Sequence, residues 1–413
     1  MLSVDEARDR ILASIEPRTA KPVAISECHG LVLAQEVRAD EPVPPFRNSA
    51  MDGYAVRARD VSSACYGAAV RLTVVANLPA GREPDRSVGP GEAVRIMTGA
   101  AMPDGADTVV RFEETDDPGP GPETLSGEPW TVAIHRAPKP GDNVRQAGED
   151  IPAGAQIFAA GALIDAAAQG VLASVDQSQV LAIPRPVVGI LATGDEVADP
   201  GAAIRPGQIR NSNNFTISGL VREAGGIPEI LGIARDTASE IRAHLVDAAK
   251  YDLLITSGGV SIGDYDVVKD VLQSEGRIDL WQVRIKPGKP MAFGEIAGVP
   301  LIGLPGNPAA AYVAFLQFAS PAIRKMRGLR KSQTSILRAR LLQDHENRGR
   351  RRHFVRGILR ESENGLVVEP VPVQGSGVLS ALVYANCLFV IPEDLDHAAA
   401  GAQVDVIPLN RYD

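Results

Sequence analysis

Two glycines in TSGG, Gly258 and Gly259, and two lysines in KPGKP, Lys286 and Lys289, are residues of the type that hold a phosphate. Glycine removes the side chain that keeps backbone N–H groups away from an anion, and lysine adds a mobile positive charge. Five carboxylates occur in comparable stretches: Asp195 and Glu196 in TGDE, Asp236 in ARD, and Asp264 and Asp266 in GDYD. Left alone they would repel an anion. A hard divalent cation, Mg²⁺, bridging them to substrate oxygens reconciles the two sets of charge, and phosphate-ester chemistry is the inference. Thr193 and Gly194 precede the first pair of acids, Ser257 precedes the two glycines, and Pro305 and Asn307 stand in a further Gly- and Pro-containing stretch, PGNP. Each stretch also has a plain structural reading. Gly-Gly after a strand is far more often a turn, TGDE can cap a helix, KPGKP can be a surface turn, and PGNP can simply start a helix at Pro308.

The separate readings do not explain why these groups come after successive apolar runs. From Pro184 to about Gly328, VVGILAT, DLLITSGG and PLIGLPGNP alternate with amphipathic stretches such as ASEIRAHLVDAA. Such alternation predicts βαβ units and a parallel sheet with helices on both faces. Ligands sit outside the carboxyl ends of the strands in such a sheet, so loops after Ala192, Ile255, Ile285 and Leu304 should gather at one end.

The flanking regions differ. Ser3 and Glu6 stand at capping-box spacing before a helix whose Val4, Ala7, Ile11 and Ile15 share a face. From Glu41 to Gly148, short Val-rich runs are broken by Gly and Pro, predicting a β-rich domain. A helix expected over Leu163–Ser174 would pair with the N-terminal one. Short strands return after Lys331. The fold class expected is therefore a multidomain α/β and β chain, with a doubly wound α/β domain, a β-rich domain, a discontinuous helical and mixed domain, and a small C-terminal β domain.

The 413 residues exceed what one hydrophobic core holds. A net charge of −9 argues against broad nucleic-acid binding, which needs excess Lys and Arg. Cys28, Cys65 and Cys387 form no CxxC pair, and the six histidines make no ligand motif, so neither type suggests a metal site. No apolar run approaches the roughly 20 residues of a membrane helix, and the N-terminus does not read as a signal sequence, so a cytoplasmic protein is expected.

The segment PPFRNSAMDGYAV resembles a signature of the molybdopterin molybdenumtransferases, the MoeA and gephyrin E-domain family. RIMTGAAMPDGADTVVRFE, GDNVRQAGEDI, GILATGDEV, LLITSGGVSIGDYD, IKPGKPMAFG and LPGNPAA match it too, in family order over nearly the whole chain. The resemblance implies a homodimer of four-domain subunits whose α/β domain is similar to molybdopterin adenylyltransferase, the pathway partner. It places the domains at 1–44 with 147–183 (linker and dimerisation), 45–146 (β-rich), 184–330 (α/β, molybdopterin-binding) and 331–413 (C-terminal β). It implies that molybdate is inserted into adenylylated molybdopterin with release of AMP. Position by position, Asp52, Thr98, Glu196, Asp236, Asp266, Lys286 and Lys289 correspond to catalytic residues, and Glu196, Asp236 and Asp266 to Mg²⁺ ligands. Arg145, Asp150, Thr193, Gly194, Asp195, Ser257, Gly258, Gly259, Ser261, Pro305 and Asn307 correspond to substrate contacts. Ala192 stands where many relatives carry Ser, and Asp264 where many carry Glu. The basic run Arg348–Arg356 reads as a charged, solvated edge strand in preference to a phosphate contact. The rival enzymatic reading is adenylylation of molybdopterin, and the rival non-enzymatic one a peptide-binding scaffold.

Overall fold

A computed structural model describes residues 1–117, 130–259, 276–331 and 336–409. The chain forms two compact units, one of 1–35, 160–166 and 179–413, the other of 36–159 and 167–178. Helix α1 (Val4–Ala13) opens the first with the expected capping box: the Ser3 hydroxyl accepts the Glu6 N–H, and the Glu6 carboxylate accepts the Ser3 N–H. Two N–H groups that the helix leaves without carbonyl partners are thereby satisfied.

In the second unit, five strands make one sheet: β1 (Gly53–Val56), β2 (Val70–Leu78), β3 (Glu92–Ile96), β4 (Thr108–Arg111) and β5 (Trp130–Ile134), in the order β4-β1-β3-β2-β5. Tyr54, Val56, Leu72, Val74, Val110, Val132 and Ile134 fill one face of it. Helix α2 (Ala166–Ser174) lies almost wholly in this unit.

The α/β part of the first unit contains β6 (Val187–Thr193), α3 (Asn213–Glu223), β7 (Ile227–Ala234), α4 (Ala238–Leu245), β8 (Leu253–Ser257) and β9 (Gly276–Gln282). It continues through the short β10 (Ile285–Lys286), β11 (Pro290–Ile296), β12 (Val299–Leu304), α5 (Pro308–Ala314) and α6 (Ser320–Met326), the last two joined by a π-helical turn, Phe315–Ala319. The sheet order is β7-β6-β8-β12-β11-β9. The first four strands run parallel, as expected, while β11 and β9 add antiparallel pairings at the edge. Alternate residues enter different cores. Ile190, Ile255 and Ile302 join one cluster with α3, α5 and α6, whereas Leu191, Leu254 and Leu301 join another with Ile241 and Leu245 of α4. The period of two along each strand is what covers both faces with helices.

Three expectations change. Helix α1 turns Val4, Ala7, Ile11 and Ile15 into the α/β core, against α6 and the π-helical turn. An amphipathic periodicity announces a buried face without naming what covers it. The strand expected before KPGKP is only Ile285–Lys286, and it pairs in parallel with Arg352 and His353 of the C-terminal sheet instead of joining the α/β sheet. That sheet contains β13 (Leu337–Leu341), β14 (Arg352–Ser362), β15 (Gly365–Pro370), β16 (Cys387–Ile391) and β17 (Gln403–Pro408), and a β14–β16 pairing closes the five into a barrel. Closure removes free edges. The basic run is solvated only at its start: Arg348 and Arg350 are exposed, whereas Arg352 pairs with Glu393 at 2.9 Å and Asp5 at 2.8 Å, and Arg356 is fully buried. No described helix is long and apolar enough to cross a membrane.

Candidate functional site

Parallel strands finish at the same end of a sheet, so β6, β8 and β12 deliver Thr193, Ser257 and Leu304 to neighbouring positions. Around these ends lies a cavity of about 500 Å³, within the range of small-molecule sites. Thr193, Glu196, Ser257, Gly258, Gly259, Lys289, Pro305 and Asn307, all selected from the sequence, line it. Lys289 arrives by a route the sequence did not suggest. Because β11 runs antiparallel to β12, its beginning lies where β12 ends, and the residue just before it enters the cavity.

The backbone at Gly258 admits only glycine. Its φ is +93°, and a Cβ there would stand 2.8 Å from the Thr193 carbonyl oxygen. Close approach of β6 and β8 thus requires the residue that phosphate binding also favours. The Gly258 N–H donates to the Leu304 carbonyl at 3.2 Å. Of the two amides expected to face an anion, only that of Gly259 lacks a partner among the described residues.

Lys289 is exposed and makes no ion pair among the described residues. Its charge remains available to a ligand. Lys286 does not line the cavity. Held half-buried beside the barrel, it has an ammonium pKa lowered first by desolvation and then by the Arg351 guanidinium. His353, hydrogen-bonded to His345 at 3.2 Å, is pushed down to about 3 by burial and then by Lys286, so it is neutral at physiological pH.

Asp195 and Glu196 come after the end of β6, and Asp236 after the end of the adjacent β7. The Gly194 N–H donates to the Ala234 carbonyl at 3.1 Å, tying the two strand ends together. Desolvation, then the charges of Asp195 and Glu196, raise the Asp236 pKa, while an Asp195 backbone N–H opposes the rise. None of the three acids has an ion-pair partner among the described residues. Such uncompensated negative charge, on hard oxygen donors, fits a divalent cation. No group of three His, Cys, Asp or Glu close enough to enclose a metal occurs among the described residues. Mg²⁺ does not demand one, since it is commonly held by one or two carboxylates plus substrate phosphate. Ser261, Asp264 and Asp266 lie outside the described residues.

The other unit brings two selected residues together: one Asp52 carboxylate oxygen accepts both the N–H and the hydroxyl of Thr98, each at 2.7 Å. These bonds, the backbone one first, hold the Asp52 pKa down, and its second oxygen has no hydrogen-bond partner among the described residues. Arg145, on a strand pair with Asn48–Ser49, and Asp150, in the loop after it, are both exposed.

Several lining residues escaped the sequence reading: Arg210, Asn211, Ser212, Asn213 and Ser376. Asn213 donates its side-chain amide to the Ser257 hydroxyl at 2.6 Å and to the Gly306 carbonyl at 2.8 Å. Asparagine and serine before a helix read as caps, which conceals any second role. Ser376 belongs to the barrel region and has no local signal of its own.

Family comparisons agree with this architecture. Residues 2–175 match the MoeA N-terminal region (domain I and II), 189–325 a probable molybdopterin binding domain, and 338–409 the MoeA C-terminal region (domain IV). A molybdopterin molybdenumtransferase 2 of Mycobacterium tuberculosis is 38% identical over 98% of this chain and 99% of its own length. A molybdopterin molybdenumtransferase of Haemophilus influenzae is 34% identical over 100% and 99%. Among solved structures, a molybdopterin biosynthesis moeA protein of Pyrococcus horikoshii superimposes with a TM-score of 0.81 at 28% identity, covering 100% of both chains.

Proposed function

This chain belongs to the MoeA family of molybdopterin molybdenumtransferases, and from that membership we propose that its strand-end cavity is where molybdate and adenylylated molybdopterin react. The protein is a transferase that inserts molybdenum during molybdenum cofactor biosynthesis. The observation that carries the placement is the convergence of Lys289, Ser257, Gly259 and Glu196 on one cavity. An anion holder and a cation holder stand side by side there.

In the proposed reaction the P–O–P bridge of the adenylylated pterin breaks. Water or molybdate supplies the attacking oxygen, AMP leaves, and molybdenum passes to the dithiolene. Negative charge grows on the phosphoryl oxygens as the bridge opens. The Lys289 ammonium, the Gly259 N–H and the Ser257 hydroxyl lie where they can stabilise it without reorganising. Lys286 contributes through the barrel side, as a desolvated ammonium. Glu196 and Asp236, with Asp266, would hold Mg²⁺, which supplies charge neutralisation on the diphosphate. Thr193, Gly194, Asp195, Pro305 and Asn307 shape the walls and orient the substrate. Asp52, Thr98, Arg145 and Asp150 are carried into the proposal by family resemblance, as are a cytoplasmic homodimer and receipt of the substrate from the adenylyltransferase. The division at 1–44 with 147–183, 45–146, 184–330 and 331–413 belongs to the same proposal.

Incubation of the purified protein with adenylylated molybdopterin, molybdate and Mg²⁺ should yield AMP and finished cofactor in equal amounts. Removing Mg²⁺ with a chelator should slow both together, with recovery on adding the ion back. AMP release at an unchanged rate under chelation contradicts the role given to the acids, and formation of neither product contradicts the reaction.

A further inference from the structure

The orientation of one hydroxyl in the cavity is set by a residue with no assigned role. Asn213, the first residue of α3, presents its side-chain amide to the Ser257 Oγ at 2.6 Å and to the Gly306 carbonyl at 2.8 Å. A carbonyl oxygen only accepts, so the nitrogen of the Asn213 amide must face Gly306, and the same nitrogen then faces Ser257. The Ser257 oxygen is therefore the acceptor of that contact. Its own hydrogen has no acceptor among the described residues, and Ser257 lines the cavity.

We propose that Asn213 is a positioning residue for the transfer: by engaging a lone pair of the Ser257 hydroxyl, it turns the Ser257 hydrogen toward the cavity as a donor to an oxyanion of the substrate. A serine hydroxyl free to rotate presents either a donor or a lone pair to its ligand, and the second repels a phosphate or molybdate oxygen. Asn213 removes that choice. It also anchors Gly306 in the loop after β12, so one side chain joins the two strand-end loops that face the substrate. The inference rests on the reading of Ser257 as a substrate contact.

A double-mutant cycle tests both and separates them. Ser257→Ala raises the KM for adenylylated molybdopterin about tenfold, the loss expected for one hydrogen bond to a charged group. Asn213→Ala raises it severalfold with a smaller change in kcat, and the double variant is far less impaired than the product of the two single defects, because most of the Asn213 effect passes through that hydroxyl. Asn213→Asp, of nearly the same shape but offering only acceptors, draws the Ser257 hydrogen back and raises KM at least as far as Asn213→Ala. Its soluble yield and thermal midpoint provide a check should the alanine variant not fold. If Ser257→Ala keeps the wild-type KM, the substrate contact and the role of Asn213 both fall. A weakened Ser257→Ala beside an unaffected Asn213→Asp overturns the Asn213 role alone, as does a double variant whose defect is the product of the single ones.

Discussion

Lys289→Ala lowers kcat/KM for adenylylated molybdopterin by about 100-fold, the scale on which removal of one preorganised oxyanion-stabilising donor acts. The residue lines the cavity, is exposed, and has no carboxylate partner among the described residues. Its charge is therefore in no ion pair among the described residues, and it interacts most strongly when an anion arrives. The same exposure predicts an unchanged thermal midpoint, since no buried contact disappears. Lys289→Arg should recover a part of the activity, because charge is kept while the shape of the donor changes. A Lys289→Ala enzyme within twofold of wild type removes this residue from the reaction.

Asp236→Asn has the second largest effect and moves activity and stability in opposite directions. The folded-state pKa of Asp236 is raised, first by desolvation and then by Asp195 and Glu196. A raised carboxylate stabilises the fold fully below its unfolded-state pKa, and that contribution is lost as pH rises through the folded value. At neutral pH the ionised group is a burden on the fold, so its neutral isostere should unfold at a higher temperature. The gain should vanish in acid, where wild-type Asp236 is itself protonated. Turnover should meanwhile fall roughly tenfold to 100-fold as a cation-holding carboxylate is lost. Mg²⁺ should raise the thermal midpoint of the wild type and have much less effect on the variant, because an ion that binds only the folded state stabilises it by mass action. A destabilised variant, or equal Mg²⁺ responses, contradicts the electrostatic picture.

Local rules made a large part of the fold legible. The capping box at Ser3 and Glu6 fixed the start of α1, and VVGILAT and DLLITSGG marked β6 and β8 by their apolar composition and their terminal Thr, Ser and Gly residues. The strand-end rule then selected Thr193, Glu196, Ser257, Gly258, Gly259, Pro305 and Asn307 without any knowledge of packing. The features that stayed hidden depend on partners distant in sequence. Ile285–Lys286 reads as an α/β strand until Arg352 and His353 are seen to pair with it. The arginines of 348–356 read as solvated until Asp5, Glu393 and barrel closure account for Arg352 and Arg356. Gly258 and Gly259 looked equivalent, but only the structure assigns the Gly258 N–H to Leu304. Asn213 was invisible because its partners, Ser257 and Gly306, lie 44 and 93 residues away.

A crystal structure of the protein soaked with AMP and Mg²⁺ tests the central claim most directly. The account predicts the phosphate at the strand-end cavity, within hydrogen-bonding reach of the Gly259 amide and the Lys289 ammonium, with the metal on the side of Glu196 and Asp236. Nucleotide bound at another surface, with this cavity holding only solvent, would contradict it.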